Sequence, residues 1–264
     1  MLLDVTTKQV IGLCRGVGIF IRQELQKVSH KDVEIKGLHD LVTYVDKTAE
    51  DRLKKELSKI LPEAGFVAEE SPEEKRAEKY NWIVDPLDGT TNFIHKIPTF
   101  SISIALLDGE EVILGVVYEI IRDECFYSWK GAKAYMNETI INVTNTKKMD
   151  ESLWGTGFPF RDFSRFDNYL EAFKYLIYNT RGVRRIGTAA TDLAYVACGR
   201  FDGFFEYGLN PWDVSAGAFI VKQAGGKVSD FSGKSNFLFG KEIFASNPYL
   251  FDEFMEVLKK SFKS

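Results

Sequence analysis

The sequence predicts an α+β protein, on three observations. Segments near both ends carry apolar residues three and four apart, the spacing of a helix with one buried face. Residues 66–143 instead break into short apolar runs separated by Asp-Gly and Lys-Gly turns, the pattern of a largely antiparallel sheet. From about Ser152 onward, strand-like and helix-like segments alternate.

The first helix is expected around Val10, Cys14, Val17, Ile21, Leu25 and Val28, with Thr6 and Gln9 in the positions of a capping box. A polar stretch from Ser29 to Asp40 leads into Leu41-Val42-Thr43. A second helix is expected just after Asp46, with Ala49, Leu53, Leu57 and Ile60 on its apolar side and Pro62 and Gly65 ending it. Strands are expected at 66–68, 82–84, 101–107, 112–118 and 124–129. The second half reads as strand 152–155, helix 165–178, strand 182–186, helix 188–198, strand 201–207 and helix 211–224. A last helix is expected over 248–262, with Asn247 as its cap and Pro248 at its first position. No repeat or linker interrupts the chain. Its length suits a single domain, 1–264, with a seam near Met149–Glu151 dividing halves 1–148 and 149–264.

Composition narrows the function classes. Hydrophobic residues at 45% and charged residues at 27% make a packed core the expectation, rather than disorder. The 34 basic and 38 acidic side chains are well mixed, which argues against the concentrated basic face of a nucleic-acid binder. A mildly acidic chain that holds an anionic ligand must bring in positive charge, and metal ions are the direct source. Cys14, Cys125 and Cys198 are odd in number and widely spaced, which suits a reducing cytoplasm rather than a disulfide framework. Asp4, Lys8, Arg15 and Arg22 interrupt any N-terminal leader, and no run approaches the ~18 apolar residues of a membrane span.

Acids that end strands carry the chemistry. Asp46 follows Thr43-Tyr44-Val45, Glu69 and Glu70 follow Phe66-Val67-Ala68, and Asp85 follows Trp82-Ile83-Val84. A carboxylate held at such a rim is half desolvated, at a cost that a cation offsets. Asp88 comes three residues after Asp85 across a Pro86-Leu87 turn, so the two carboxylates and the Leu87 carbonyl can converge. An all-oxygen set of this kind suits Mg²⁺. Gly89-Thr90-Thr91-Asn92 then forms a glycine turn opening a short helix, whose free N–H groups favour a phosphate. By itself an Asp-Pro-x-Asp-Gly segment is most often a solvated surface turn. The three separate acids and the Gly-Thr-Thr segment favour a metal and phosphate site instead.

At these residues the sequence resembles the inositol monophosphatase family of lithium-sensitive, Mg²⁺-dependent sugar phosphatases. Trp82-Ile-Val-Asp85-Pro-Leu-Asp88-Gly-Thr-Thr-Asn-Phe93 is similar to its first signature, and Asn210-Pro-Trp212-Asp213-Val-Ser-Ala-Gly217 with Gln223-Ala-Gly-Gly226 to its second. Ala68-Glu69-Glu70-Ser71 matches a further acidic motif, although Ala68 and Gln223 stand where many members have Gly and Glu. The resemblance implies a five-layered αβαβα sandwich, usually a homodimer. It implies two to three Mg²⁺ ions on Glu69, Asp85, the Leu87 carbonyl, Asp88 and Asp213. Asp46 and Thr90 match the pair that activates the attacking water, and Glu69 counts with them as catalytic. The Gly89 and Thr90 N–H groups would hold phosphate. Gly187, Thr188, Ala189 and Glu206, with Asp213, would contact the substrate, and Lys36 matches a basic loop position.

Other residues are read as structural. Trp212 is expected to pack in the core, Glu206 ranks below the metal ligands because it could be a solvated strand end, and Arg184 and Arg185 are expected in salt bridges. His30, His39 and His95 lack ligand spacing. The favoured function is therefore hydrolysis of myo-inositol 1-phosphate or a related small sugar phosphate by a metal-activated water. A 3′(2′),5′-bisphosphate nucleotidase ranks second, because Thr91 stands where those relatives commonly carry Lys. Histidinol phosphate and fructose 1,6-bisphosphate are further substrates. A regulatory protein of the same fold, working through RNA or polymerase contacts, is the rival of another class.

Overall fold

The computed structural model describes residues 2–28, 33–37, 40–71, 76–159 and 162–263, with the side chains of all but 35–37, 40 and 41. Helices α1 (Leu3–Glu24) and α2 (Tyr44–Ile60) flank a small antiparallel pair, β1 (Val33–Gly37) and β2 (Asp40–Thr43). A seven-stranded sheet follows in chain order: β3 (Gly65–Ala68), β4 (Tyr80–Asp88), β5 (Ser101–Asp108), β6 (Glu111–Glu119), β7 (Glu124–Trp129), β8 (Tyr135–Met136) and β9 (Thr139–Ile140). It is antiparallel except for β3 beside β4. Between β4 and β5 lies a short helix, α3 (Thr90–Ile94).

The second half builds a mixed five-stranded sheet from β10 (Leu153–Thr156), β11 (Gly182–Arg184), β12 (Gly203–Tyr207), β13 (Lys227–Ser229) and β14 (Glu242–Ser246). Its strand order is β11-β10-β12-β14-β13. The helices of this half are α4 (Phe166–Asn179), α5 (Ala189–Ala197), α6 (Pro211–Gln223) and α7 (Phe251–Ser261).

Packing sorts these elements into five layers. Cys14 and Ile21 of α1 and Leu53 of α2 meet Trp82, Ile104 and Val116 on the outer face of the large sheet. On its inner face, Ile83, Ala105 and Val117 pack against Leu193 of α5 and Ile220 of α6, which reach Phe204 and Ile243 of the second sheet. Tyr169, Leu176 and Phe254 of α4 and α7 close the far side over Trp154, Phe205 and Phe244. The result is the αβαβα sandwich that the resemblance implies. Because helices cover both faces of the large sheet, β5 is buried at every position but its last, so it lacks the polar-out alternation of a half-exposed strand. Each fully buried aromatic contributes about 1.5–3 kcal/mol.

Several helix starts differ from expectation. Helix α1 begins at Leu3, and Leu2 caps it without a side-chain bond. Thr6 and Thr7 lie inside it, where the Thr7 hydroxyl donates to the Leu3 carbonyl at 2.7 Å instead of capping. Helix α2 begins at Tyr44, because Thr43 is the better cap and draws Asp46 into the first turn. Helix α7 begins at Phe251: Asn247 accepts from the Tyr249 and Leu250 N–H groups and holds a turn ahead of the helix. Strands β13 and β14 escaped the sequence reading, although β14 is interior to its sheet.

Candidate functional site

The site starts from an irregularity in β4. Asp85 pairs with Ser103 and Asp88 with Ser101, so one residue more is spent on β4 than on β5. This is a bulge in a continuing strand rather than the expected Pro-Leu turn, and a bulge re-aims the side chains around it. The Leu87 N–H donates to Asp85 Oδ1 at 2.9 Å and fixes that carboxylate. Gly89 follows at φ +97°, a conformation glycine adopts without strain, and it starts α3 with Thr90 at the first position.

Asp46 and Asp213 hold equivalent places on two helices. Each is the third residue of its helix, and each receives the backbone N–H of the cap residue on Oδ2. That donor is Thr43 at 2.8 Å for Asp46 and Asn210 at 2.6 Å for Asp213. The Thr43 hydroxyl donates to the same Asp46 oxygen at 2.7 Å. The Thr90 hydroxyl is shared between Asp46 Oδ1 at 2.9 Å and the Leu87 carbonyl at 3.0 Å. Asp88 is held from the other half of the chain, by the Thr188 hydroxyl and by the Ala190 N–H at 2.8 Å.

These elements enclose a cavity of about 280 Å³. Glu69, Asp85, Leu87, Asp88, Gly89 and Thr90 line it from the first half. Gly187, Thr188, Ala189, Glu206 and Asp213 line it from the second. Asp46 is not on the wall; it stands behind Thr90, buried at 1% exposure.

The acids bear the cost of their crowding. Burial, then the charges of Glu69, Asp88 and Asp213, raise the Asp85 carboxyl well above the usual carboxylate range. Asp88 is raised by burial, against the opposing pull of its Thr188 and Ala190 bonds and the charge of Arg185. Asp46 is raised by burial, with its threonine hydrogen bonds pulling the other way. Among the described residues, no three acidic, His or Cys side chains are gathered as a ready-made metal cage. The carboxylates are spread along the wall instead.

The structure adds residues and corrects others. Asp192, in the first turn of α5, lines the cavity and carries no motif that would have singled it out. Arg185 lines it too, and among the described residues neither Arg184 nor Arg185 forms the expected salt bridge. Arg185 presents its charge to Asp88, Asp192 and Glu206. Glu206 is buried at 5% exposure rather than solvated, and burial pushes its carboxyl up to about 8. Trp212 packs against the core as expected, with its carbonyl taking the Ser103 hydroxyl at 3.1 Å. His95 is exposed. His30, His39 and the side chain of Lys36 lie outside the described residues.

Similarity to known proteins extends over the same span as this architecture. The model of the inositol monophosphatase family matches residues 2–262. A protein named Nus factor SuhB from Pseudomonas aeruginosa is 40% identical over 250 residues, covering 93% of this chain and 92% of the relative. An inositol-1-monophosphatase from Mesorhizobium japonicum is 38% identical over 244 residues, 92% of each chain. The crystal structure of extragenic suppressor protein suhB from Bartonella henselae superposes with a TM-score of 0.90 at 35% identity, covering 97% of this chain and 99% of that one. The chain belongs to the inositol monophosphatase family.

Proposed function

We propose that the chain is a Mg²⁺-dependent phosphatase of small polyol monophosphates, with myo-inositol 1-phosphate first among them. One observation carries the reading: oxygen donors from both halves of the chain line the same cavity as the Gly89–Thr90 turn. The donor set fits the ion. Its members are hard oxygens, their mutual repulsion calls for a cation, and Mg²⁺ takes one or two carboxylates and fills its remaining positions with water and phosphate. A three-acid cage is therefore not required.

Glu69, Asp85, the Leu87 carbonyl, Asp88 and Asp213 would hold two to three ions. Bound there, Mg²⁺ supplies Lewis acidity toward the phosphoryl oxygens and charge against the leaving alkoxide. The Gly89 and Thr90 N–H groups receive the phosphate. Thr90 Oγ1 donates to Asp46 and so turns its lone pairs to the attacking water, while the raised Asp46 carboxylate is the better proton acceptor for it. Glu69 is assigned to the same step. Gly187, Thr188, Ala189, Glu206 and Asp213 orient the alcohol. Direct attack by water is favoured over a phosphoenzyme because no Ser or Cys lines the cavity among the described residues, and Asp85, Asp88 and Asp213 are assigned to the metal ions.

Phosphate release from inositol 1-phosphate, fructose 1,6-bisphosphate, histidinol phosphate and 3′-phosphoadenosine 5′-phosphate tests the reading. The expected result is Mg²⁺-dependent release from the inositol ester, suppressed by Li⁺; no turnover of any ester would sink it. Free cysteines are consistent with a cytoplasmic location, and no helix among the described residues is long and apolar enough to cross a membrane.

A homodimer is supported by the apolar face that α4 and the residues before it leave in water. Phe163, Phe166, Leu170, Ile177 and Tyr178 are all exposed, Tyr178 at 77%. Ile177→Glu with Tyr178→Glu is expected to halve the mass seen by sedimentation. A wild-type monomer overturns the assignment.

The relatives named Nus factor favour a second reading, a regulatory protein that contacts RNA or polymerase. Salt-dependent RNA binding retained by an Asp85→Asn variant would support it.

A further inference from the structure

Helix α2 carries a second buried acid besides Asp46, and the reaction as proposed does not use it. Glu50 is 2% exposed and follows Asp46 by four residues, so the two lie one turn apart on the same face of the helix. Its Oε2 accepts the Glu70 N–H at 2.8 Å, and its Oε1 accepts the Ser71 hydroxyl. Lys54, a further turn along, stands 3.9 Å from Oε1 and donates to Ser71 Oγ at 3.0 Å.

These bonds bracket Glu69. The pairing of β3 with β4 ends at Ala68 and Val84, and the Glu69 N–H still reaches the Val84 carbonyl at 3.3 Å. The next N–H, that of Glu70, leaves the sheet and is taken by Glu50. Both planar peptides that flank the Glu69 Cα are thereby held, one by β4 and one by α2, which sets the direction in which the Glu69 side chain leaves the backbone. Glu50 does not line the cavity, and Lys54 offsets its charge, so it is suited to hold the chain rather than to ligate an ion. The same helix thus reaches two residues assigned to one step: Asp46 meets Thr90 from the first turn, and Glu50 meets the residue after Glu69 from the second.

We propose that Glu50 is a positioning residue, which sets the Glu69 carboxylate in register with the Asp46–Thr90 pair without touching ion or substrate. This rests on the phosphatase reading, in which Glu69 holds metal and serves the attacking water.

The test follows Mn²⁺ binding by electron paramagnetic resonance, phosphate release from inositol 1-phosphate against Mg²⁺ concentration, and the thermal midpoint. It compares wild type, Glu50→Ala, Glu50→Gln, Glu69→Gln and the double variant of Glu50→Ala with Glu69→Gln. Glu50→Ala is expected to weaken Mn²⁺ binding about tenfold or more and to raise the Mg²⁺ needed for half-maximal rate in step, with KM for the ester at saturating Mg²⁺ little changed. Glu50→Gln keeps an acceptor oxygen for the Glu70 N–H and should recover most of that loss. In the Glu69→Gln background, Glu50→Ala should cost no further Mn²⁺ affinity, as befits a residue that acts through Glu69.

A lowered thermal midpoint with Mn²⁺ affinity intact, a fully additive loss in the double variant, or a Glu50→Gln protein as impaired as Glu50→Ala would each overturn the assignment. If Glu50→Ala fails to fold, Ser71→Ala removes one of the two donors and takes its place in the cycle. A loss of Mn²⁺ affinity that vanishes in the Glu69→Gln background then supports the assignment, and no loss overturns it. Wild type that neither binds Mn²⁺ nor releases phosphate sinks the phosphatase reading itself. Wild type that does both, matched by Glu50→Ala, refutes this inference alone.

Discussion

The cavity has two acidic walls built on opposite terms. On the wall formed by β4 and α3, the acids are restrained by hydrogen bonds: Asp85 by the Leu87 N–H, Asp88 by Thr188 and Ala190, and Asp46 behind them by Thr43 and Thr90. On the wall formed by β12 and α5, burial and neighbouring charge act alone, and neither Glu206 nor Asp192 accepts a hydrogen bond among the described residues. The first wall has the rigidity that charge stabilisation of a transition state demands. The second holds buried acids that no protein donor restrains among the described residues. One cavity thus carries a wall held by hydrogen bonds and a wall held by burial.

Neutralising the first wall tests that separation most sharply. Asp85→Asn keeps an oxygen for the Leu87 N–H and should remain folded, while phosphate release falls roughly a thousandfold. Near-normal rates would erase the distinction between the walls. Thr90→Ala removes the hydroxyl between the water position and Asp46, and should lower kcat about a hundredfold with KM little changed. A change confined to KM would move Thr90 from chemistry to binding.

The remaining effect belongs to the second wall and is one of stability rather than rate, in metal-free protein. The Glu206 carboxyl is raised from 4.5 to about 8, so the fold prefers it protonated. That contribution is complete below about 4.5 and is lost as pH rises through about 8. Unfolding free energy should therefore decline across this interval, by an amount on the order of a few kcal/mol, and Glu206→Gln should flatten the decline. Denaturation midpoints recorded across the interval would settle it; identical profiles for both proteins would show that the carboxylate is not held in the way described.

The two walls also differ in how far they could be read from the chain. Asp85, Asp88, Gly89 and Thr90 are contiguous, and the Trp82–Phe93 segment displays them together. The second wall is assembled from α5 and β12, whose contributions are two acids with no common spacing. Asp192 looks like any polar residue in the first turn of a helix, and Glu206 like the end of a strand. Only the packing of α5 between the sheets makes them neighbours. The α+β class was legible because helix and strand periods alternate clearly, whereas the layering followed only from the resemblance carried by the two signatures. The β4 bulge was not, since Pro86-Leu87 reads equally well as a turn, and the first turn of α2 was missed because Thr43 also reads as the end of a strand.

The equivalent placement of Asp46 and Asp213 carries a consequence for descent. In each, one oxygen takes the backbone N–H of the helix cap; the other oxygen of Asp46 takes the Thr90 hydroxyl behind the wall, while Asp213 lines the cavity itself. Asparagine preserves an acceptor oxygen suited to a helix start and removes the charge. A single-nucleotide change at either codon is therefore expected to keep the helix start and, on the phosphatase reading, to abolish turnover. The helix starts and the charge at these two positions are thus separable by one substitution each.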